Sequence, residues 1–332
     1  MALEVAGSIP VGHPRNFGGR EWLCASLWYD DAMKRRVAAV LFLAVLVVFG
    51  GWLLIGGRAR NTQRAYRSGD QLHVVTTTPV LYSLTAKVLG DRGMLTNLVP
   101  PGASPENYAL RPQDAEALSR ADVLVMNGLN FERFLEGVIG EARQRGVVVI
   151  EASAGIPTSE DPPNPHVWLD PLRAVTMVRN IAKGLAEADP SQTSVYKRNA
   201  AIAVAQLTTL HEEFKTQLSR VNDRRFIAFH PAWTYFVERY GLEQVAVIEE
   251  VPGVEPTAQE LAELSDTIRR TGVRALLSEP QFSPKIVAAL ARDLVGLMVY
   301  EVNPEGGELT EDGYERLMRA NVAVFVRALS ES

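Results

Sequence analysis

Beyond about residue 70 the chain writes one pattern twice: four short β-rich runs alternating with helical stretches, then four more. LHVVTTT (72–78), MLTNLVP (94–100), DVLVMNG (122–128) and VVVIEAS (147–153) read as the first set of strands. Between them, VLYSLTAKVLG, RPQDAEALSRA and FERFLEGVIGEARQRG carry helical spacing, with Gly90, Gly128 and Gly146 near element ends. RFIAFHP (225–231), QVAVIEE (244–250), VRALLSEP (273–280) and LMVYEVNP (297–304) form the second set. They are separated by the helical TYFVERYG, TAQELAELSDTIRRTG and SPKIVAALARDLVG, and a last helix runs from about Glu311 to Leu329. Strands that alternate with helices build parallel sheets from βαβ units. The expected fold class is α/β: two lobes, each a roughly four-stranded parallel sheet flanked by helices.

Between the two sets lies helix alone. One helix opens at Asp170–Pro171 and ends near Asp189–Pro190; a second runs from Ser191 to Arg220 without Gly or Pro. At 1.5 Å per residue the second spans about 45 Å, enough to traverse both lobes, and its Ala, Val and Leu content argues that it packs. The expected boundaries are a first lobe at 72–189, a connecting backbone helix at 190–221 and a second lobe at 222–332.

The N-terminal end has a different character. Residues 37–57 are an uncharged apolar run of 21, long enough to span a bilayer core. Lys34, Arg35 and Arg36 precede it, which by the positive-inside bias places the body outside the cytoplasm. The run exceeds the apolar core of a cleaved signal peptide, and GGRARNTQ after it offers no A-x-A-like site and no lipidation cysteine. We read 37–57 as an uncleaved transmembrane anchor, 58–71 as a linker, and 1–36 as a cytoplasmic extension or, up to Met33, a stretch ahead of the true translation start. The expected location is the cytoplasmic membrane, single-pass, with the body on the periplasmic side.

Charge follows the same division. Residues 1–67 hold nine Lys/Arg against four Asp/Glu, and the rest holds 25 against 35. An acidic body excludes a nucleic-acid partner, whose phosphates need a basic face, and tolerates a cationic ligand. The single cysteine, Cys24, excludes an internal disulfide and a Cys-rich zinc site.

Ligands of open parallel sheets bind beyond the carboxyl ends of the strands. There the sequence places Glu106 in PPGASPENYALRP, His166 and Asp170 in SEDPPNPHVWLDP, His230 in FHP, Glu279 in SEP and Asn303 in VNP. Two of only five histidines thus occupy corresponding loops, one per lobe; His13, His73 and His211 have no such context. Histidine with carboxylate suits Zn²⁺, Mn²⁺ or Fe²⁺.

Five separated segments resemble the zinc/manganese/iron-binding receptors of ABC importers, in the right order and over residues 72–330: LVPPGASPENYALRPQDAEALSRADVLVMNGLNFE, NPHVWLDPLRA, FIAFHPAWTYFVERYGLEQV, PGVEPTAQELAELSDTIRRTGVRALLSEPQFSP and VNPEGG. The resemblance implies a metal held between two lobes joined by a stiff helix, small lobe motions, and delivery to an ABC permease in the membrane. It implies metal ligands at Glu106, His166, His230 and Asn303. Glu106 stands where the family usually has His, and Asn303 where it usually has Asp, so the carboxylate has moved from the second lobe to the first. Glu301 shares strand parity with Asn303 and Glu305 lies just beyond; either is a candidate for the missing carboxylate. Glu279 and Asp170 are candidates for supporting carboxylates.

The expected protein is therefore a monomeric metal receptor and not an enzyme, with the transported ion as its ligand and no catalytic residue. Three alternatives remain open: the same fold binding a non-metal or metal-chelate ligand, a metallohydrolase built on Glu106, His166, His230 and Glu279, and a cell-adhesion protein on this fold. The hydrolase lacks HExxH and GxSxG, and no separate partner-binding module supports the adhesin.

Overall fold

The computed structural model of the protein describes Arg36, residues 71–158 and residues 160–331. The apolar run 37–57, the linker up to residue 70 and the segment before Arg36 lie outside the described residues. Among the described residues no helix is long and apolar enough to cross a membrane.

The first sheet contains β1 (Leu72–Thr76), β2 (Gly93–Asn97), β3 (Val123–Met126) and β4 (Val148–Glu151), all parallel in the order β2-β1-β3-β4. The second contains β5 (Arg225–Ala228), β6 (Glu243–Val247), β7 (Ala275–Ser278) and β8 (Met298–Glu301), parallel in the matching order β6-β5-β7-β8. In each, the first strand of the lobe is flanked by the second and third, so the order reverses there and a crevice opens at the strand ends.

Nine helices clothe these sheets in the described residues: α1 (Pro79–Leu89), α2 (Pro112–Arg120), α3 (Ile139–Gln144), α4 (Pro171–Ala188), α5 (Thr193–Leu218), α6 (Thr234–Tyr240), α7 (Ala258–Thr271), α8 (Pro284–Asp293) and α9 (Gly313–Glu331). One expectation is corrected here. FERFLEGVIGEARQRG does not form a continuous helix; a 3₁₀ turn at Arg133–Leu135 is followed by the six-residue α3. Gly137 and Gly140 fall in its middle, and glycine costs a helix about 1 kcal/mol per residue relative to alanine.

Strand alternation sorts side chains into three cores. Val74, Val123, Val125, Phe226 and Ala228 belong to one large cluster that runs through both lobes. Val75, Leu98 and Leu124 pack on the outer face of the first sheet, and Ile227, Phe229 and Leu276 on that of the second. The connecting helix α5 lies in the shared core. It is 26 residues long, shorter than expected because Pro190–Gln192 forms a separate 3₁₀ turn. Its Tyr196, Ala200, Ala203, Leu207, Leu210, Phe214 and Leu218 make a buried stripe at intervals of three and four, the spacing of one helix face. That stripe meets α1, α4 and α9.

Polar contacts tie the lobes as well. Lys87 of α1 and Glu315 of α9 form a buried ion pair at 2.9 Å. The Tyr314 hydroxyl donates to the Trp168 carbonyl at 2.6 Å. Asp170 accepts from the Leu172 N–H at 2.9 Å, capping α4, and from the Arg239 guanidinium of α6 at 2.7 and 2.9 Å.

Candidate metal centre

Each site residue stands in a loop that follows a strand. Glu106 lies in a 3₁₀ turn (Pro105–Asn107) after β2. Behind it, the Tyr108 hydroxyl donates to Asp114 at 2.7 Å, while Arg111 donates to Asp114 and to the Leu98 carbonyl, which braces the loop. His166 ends the long loop after β4 and His230 follows β5. Gly253, at φ +80°, lets the loop after β6 close on the first lobe, because a Cβ there would press into the Asn107 amide.

The loops bring Glu106, His166 and His230 together, with donor atoms all within 4.8 Å of one another. The two imidazoles meet Nε2 to Nε2 at 3.3 Å. Both are buried, 2% and 1% exposed, at the floor of a cleft of about 430 Å³ between the lobes. Phe131, Trp168 and Phe282 wall the two rings with edge-on and tilted contacts.

Both imidazoles are oriented from behind. The Asn164 carbonyl oxygen lies 2.9 Å from His166 Nδ1, so Nδ1 carries the hydrogen and Nε2 offers its lone pair. The same amide donates to the Pro231 carbonyl at 2.6 Å, linking the supports of the two histidines. Glu279 Oε2 lies 2.7 Å from His230 Nδ1, and its carboxylate is fully enclosed.

Protonation follows from these surroundings. Complete burial, then the charge on His230, lower His166 to about 4. Burial opposes charge on His230 too, but Glu279, then Glu106 and Glu305, outweigh it and raise the imidazole to about 9. Burial raises the Glu106 carboxyl, against the pull of both histidines. It also raises Glu305 to about 7. Glu106 Oε2 and Glu305 Oε2 are buried without a hydrogen-bond partner. Unpaired lone pairs converging on two imidazole nitrogens form a place for a cation.

Two residues from the sequence reading, Glu301 and Asp170, sit elsewhere, and a third, Asn303, has its oxygen engaged. Glu301 is exposed, between buried Tyr300 and Val302. Its parity with Asn303 has no force because β8 ends at Glu301. Asp170 faces Arg239 and the start of α4 rather than the cleft. The Asn303 side-chain carbonyl is engaged by three donors, from Gln281 and the N–H groups of Glu305 and Gly306. Glu305, by contrast, reaches within 3.7 Å of His166 Nε2.

Two supporting residues escaped the sequence reading. Asn164 sits inside the NPH motif without having drawn attention. Glu132 is buried at the end of the loop after β3, where it accepts from the Asn127 and Gly128 N–H groups and the Thr77 hydroxyl. It holds a turn in which Leu129 and Asn130 take φ of 56° and 59° at the cleft wall, a conformation costing non-glycine residues roughly 1 kcal/mol or more each. An acidic residue soon after a strand-ending Asn-Gly was the available signal.

Comparison with known proteins places the chain among metal-uptake proteins. The family model for the periplasmic zinc-uptake complex component A, ZnuA, matches residues 74–328. The high-affinity zinc uptake system protein ZnuA of Bacillus subtilis is 28% identical over 302 residues, covering 84% of this chain and 94% of that protein. A crystal structure of ZnuA superposes with a TM-score of 0.71 at 32% identity, covering 79% of this chain and 100% of that one. The substrate-binding protein FpvC of Pseudomonas aeruginosa in complex with Mn²⁺ superposes at 0.72 with 30% identity, covering 79% and 99%.

Proposed function

The chain belongs to the family of periplasmic zinc-uptake complex component A proteins, and we propose that its cargo ion is gripped between the lobes by Glu106, His166 and His230. The family consists of solute-binding receptors, not enzymes: they capture a metal ion outside the cytoplasm and serve an ABC importer. The observation that carries the assignment is the convergence of two buried imidazole Nε2 atoms, 3.3 Å apart and from different lobes, on the half-buried Glu106 carboxylate.

Imidazole with carboxylate suits a divalent first-row ion, Zn²⁺, Mn²⁺ or Fe²⁺. Asn164 and Glu279 set the tautomers, a role that outer partners of metal-bound histidines commonly fill. A hydrolytic site would need a free general base beside metal-bound water, and Glu279 is instead committed to His230 Nδ1 at 2.7 Å. The apolar run 37–57 behind Lys34–Arg36 supports a single-pass anchor at the outer face of the membrane, which would raise the receptor's effective concentration near its permease.

The test is equilibrium dialysis of the chelator-stripped full chain against Zn²⁺, Mn²⁺ or Fe²⁺, followed by metal analysis. One ion per chain is expected, with loss in His166→Ala and His230→Ala. No stoichiometric metal, or undiminished binding by both variants, would sink the assignment.

A further inference from the structure

The loop after β8 offers two side-chain oxygen donors two residues apart, and only one is free. The Asn303 carbonyl oxygen accepts from Gln281 Nε2 at 2.8 Å, from the Glu305 N–H at 3.0 Å and from the Gly306 N–H at 3.1 Å. An amide oxygen has two lone pairs, so three donors leave nothing for a cation. The backbone of the same residue is pinned to α9, where Asn321 accepts from the Asn303 N–H at 2.8 Å and donates to its C=O at 2.7 Å. One residue on, the Pro304 carbonyl accepts from the Trp168 indole of the first lobe at 2.8 Å. Gly306 completes the turn at φ +85°, seated against Pro79 and Val80 of α1.

That fixed turn aims Glu305 into the cleft floor. Glu305 is 3% exposed, its Oε1 is 3.7 Å from His166 Nε2, and its Oε2 has no hydrogen-bond partner. A buried carboxylate left without donors is costly. Metal–ligand bonds of about 2.0–2.2 Å in a tetrahedral shell set donor atoms roughly 3.3–3.6 Å apart. The His166–His230 separation of 3.3 Å falls within that spacing, and the His166–Glu305 separation of 3.7 Å lies just above it.

We infer that Glu305, and not Asn303, supplies the second lobe's oxygen ligand, so that the donor set is Glu106, His166, His230 and Glu305. The inference rests on the reading of the cleft as a metal site. Asn303 is then a positioning residue: it spends its amide on the turn that presents Glu305. Two carboxylates and two neutral imidazoles carry two negative charges and neutralise a divalent ion in a buried site. The site so built is matched to divalent ions over Cu⁺, and its two carboxylates give Mn²⁺ and Fe²⁺ the oxygen ligands they favour.

The experiment is a competitive chelator titration of Zn²⁺ into the full chain, comparing wild type with Glu305→Gln, Glu301→Gln, Asn303→Asp and His166→Ala. Glu305→Gln should weaken binding by about 100-fold or more, and Glu301→Gln should leave it unchanged. Asn303→Asp should stay within a few-fold, since its carboxylate can accept the same three hydrogen bonds. The absorption spectrum of the Co²⁺-loaded protein should change in Glu305→Gln and not in Asn303→Asp. If Glu305→Gln misfolds by circular dichroism, Glu305→Asp replaces it, with intermediate loss and an altered Co²⁺ spectrum expected. Wild-type affinity and spectrum in the Glu305 variant, with binding lost in His166→Ala, overturn this inference while the metal site stands. Wild-type affinity in His166→Ala as well would overturn both.

Discussion

His166 and His230 meet Nε2 to Nε2 at 3.3 Å across the lobe boundary, each ring held at Nδ1 by a partner of different charge. Asn164 behind His166 is neutral; Glu279 behind His230 is a carboxylate. With His166 lowered to about 4 and His230 raised to about 9, the metal-free pair carries one positive charge, on His230. A cation entering between the rings takes the position that the Nε2 proton occupies.

Metal affinity should therefore rise with pH. Below about 9 the ion must displace the His230 proton, and below about 7 the Glu305 proton as well. Calorimetric titrations at pH 7 in buffers of different ionisation enthalpy should show release of at least about one proton per ion. The metal-free fold should respond in the opposite sense. The raised His230 stabilises it fully below the ordinary histidine value near 6.5, and that stabilisation is lost as pH rises through about 9. Affinity that stays flat from pH 6 to 8, with no proton release, would contradict this picture.

Glu279→Gln removes the charge that raises His230. The imidazole should then titrate lower in the metal-free protein, followed by its NMR shifts. Metal affinity at pH 7 should fall by about 10- to 100-fold, as when partners of metal-bound histidines are lost. An unmoved His230 titration would show that Glu279 does not govern it.

The joint between the lobes makes a prediction about stability. Lys87→Met strands the Glu315 carboxylate in the interior, where side-chain exposure is 4% for Lys87 and 8% for Glu315. Breaking a buried pair in this way typically costs about 3–5 kcal/mol, whereas apolar replacement of both partners is often neutral or better. Urea unfolding at pH 7 should thus show a large loss for Lys87→Met and recovery of most of it in Lys87→Met/Glu315→Leu. Equal losses in the two variants would mean that the pair's charge is not what matters.

Gly184 marks a close approach of a helix to a sheet. A Cβ there would collide with the Ile150 side chain of β4, so α4 lies as near the first sheet as a bare Cα allows. Gly184→Ala should overpack this contact and cost about 1–3 kcal/mol in chemical denaturation. An unchanged unfolding midpoint would show that Ile150 moves aside freely.

Much of the architecture was readable because the strands are short, apolar and punctuated. The run DVLVMNG contains β3, whose four residues Val123–Met126 are all buried. The histidines were readable for a related reason: both stand at strand-following loops in corresponding places. The sequence named Glu305 as one candidate for the missing carboxylate but could not choose it over Glu301 or Asn303, because the chain leaves β8 at Glu301 and a strand's two-residue alternation says nothing about a turn. Whether Asn303 or Glu305 faces the histidines depends on Gln281, Asn321 and Trp168, which lie 18 to 136 residues away in sequence. Asp170 was misplaced for want of the same knowledge, since its partner Arg239 is 69 residues distant.

The central claim is that one metal ion sits between the lobes, held from both sides. Anomalous diffraction at the metal's absorption edge, from crystals of the Zn²⁺- or Mn²⁺-loaded protein, tests it most directly. The account predicts a single strong peak in the cleft, about 2.0–2.3 Å from both His166 Nε2 and His230 Nε2, with Glu106 in contact. A loaded protein with no peak between those imidazoles, or with its ion bound by residues of one lobe alone, would contradict it.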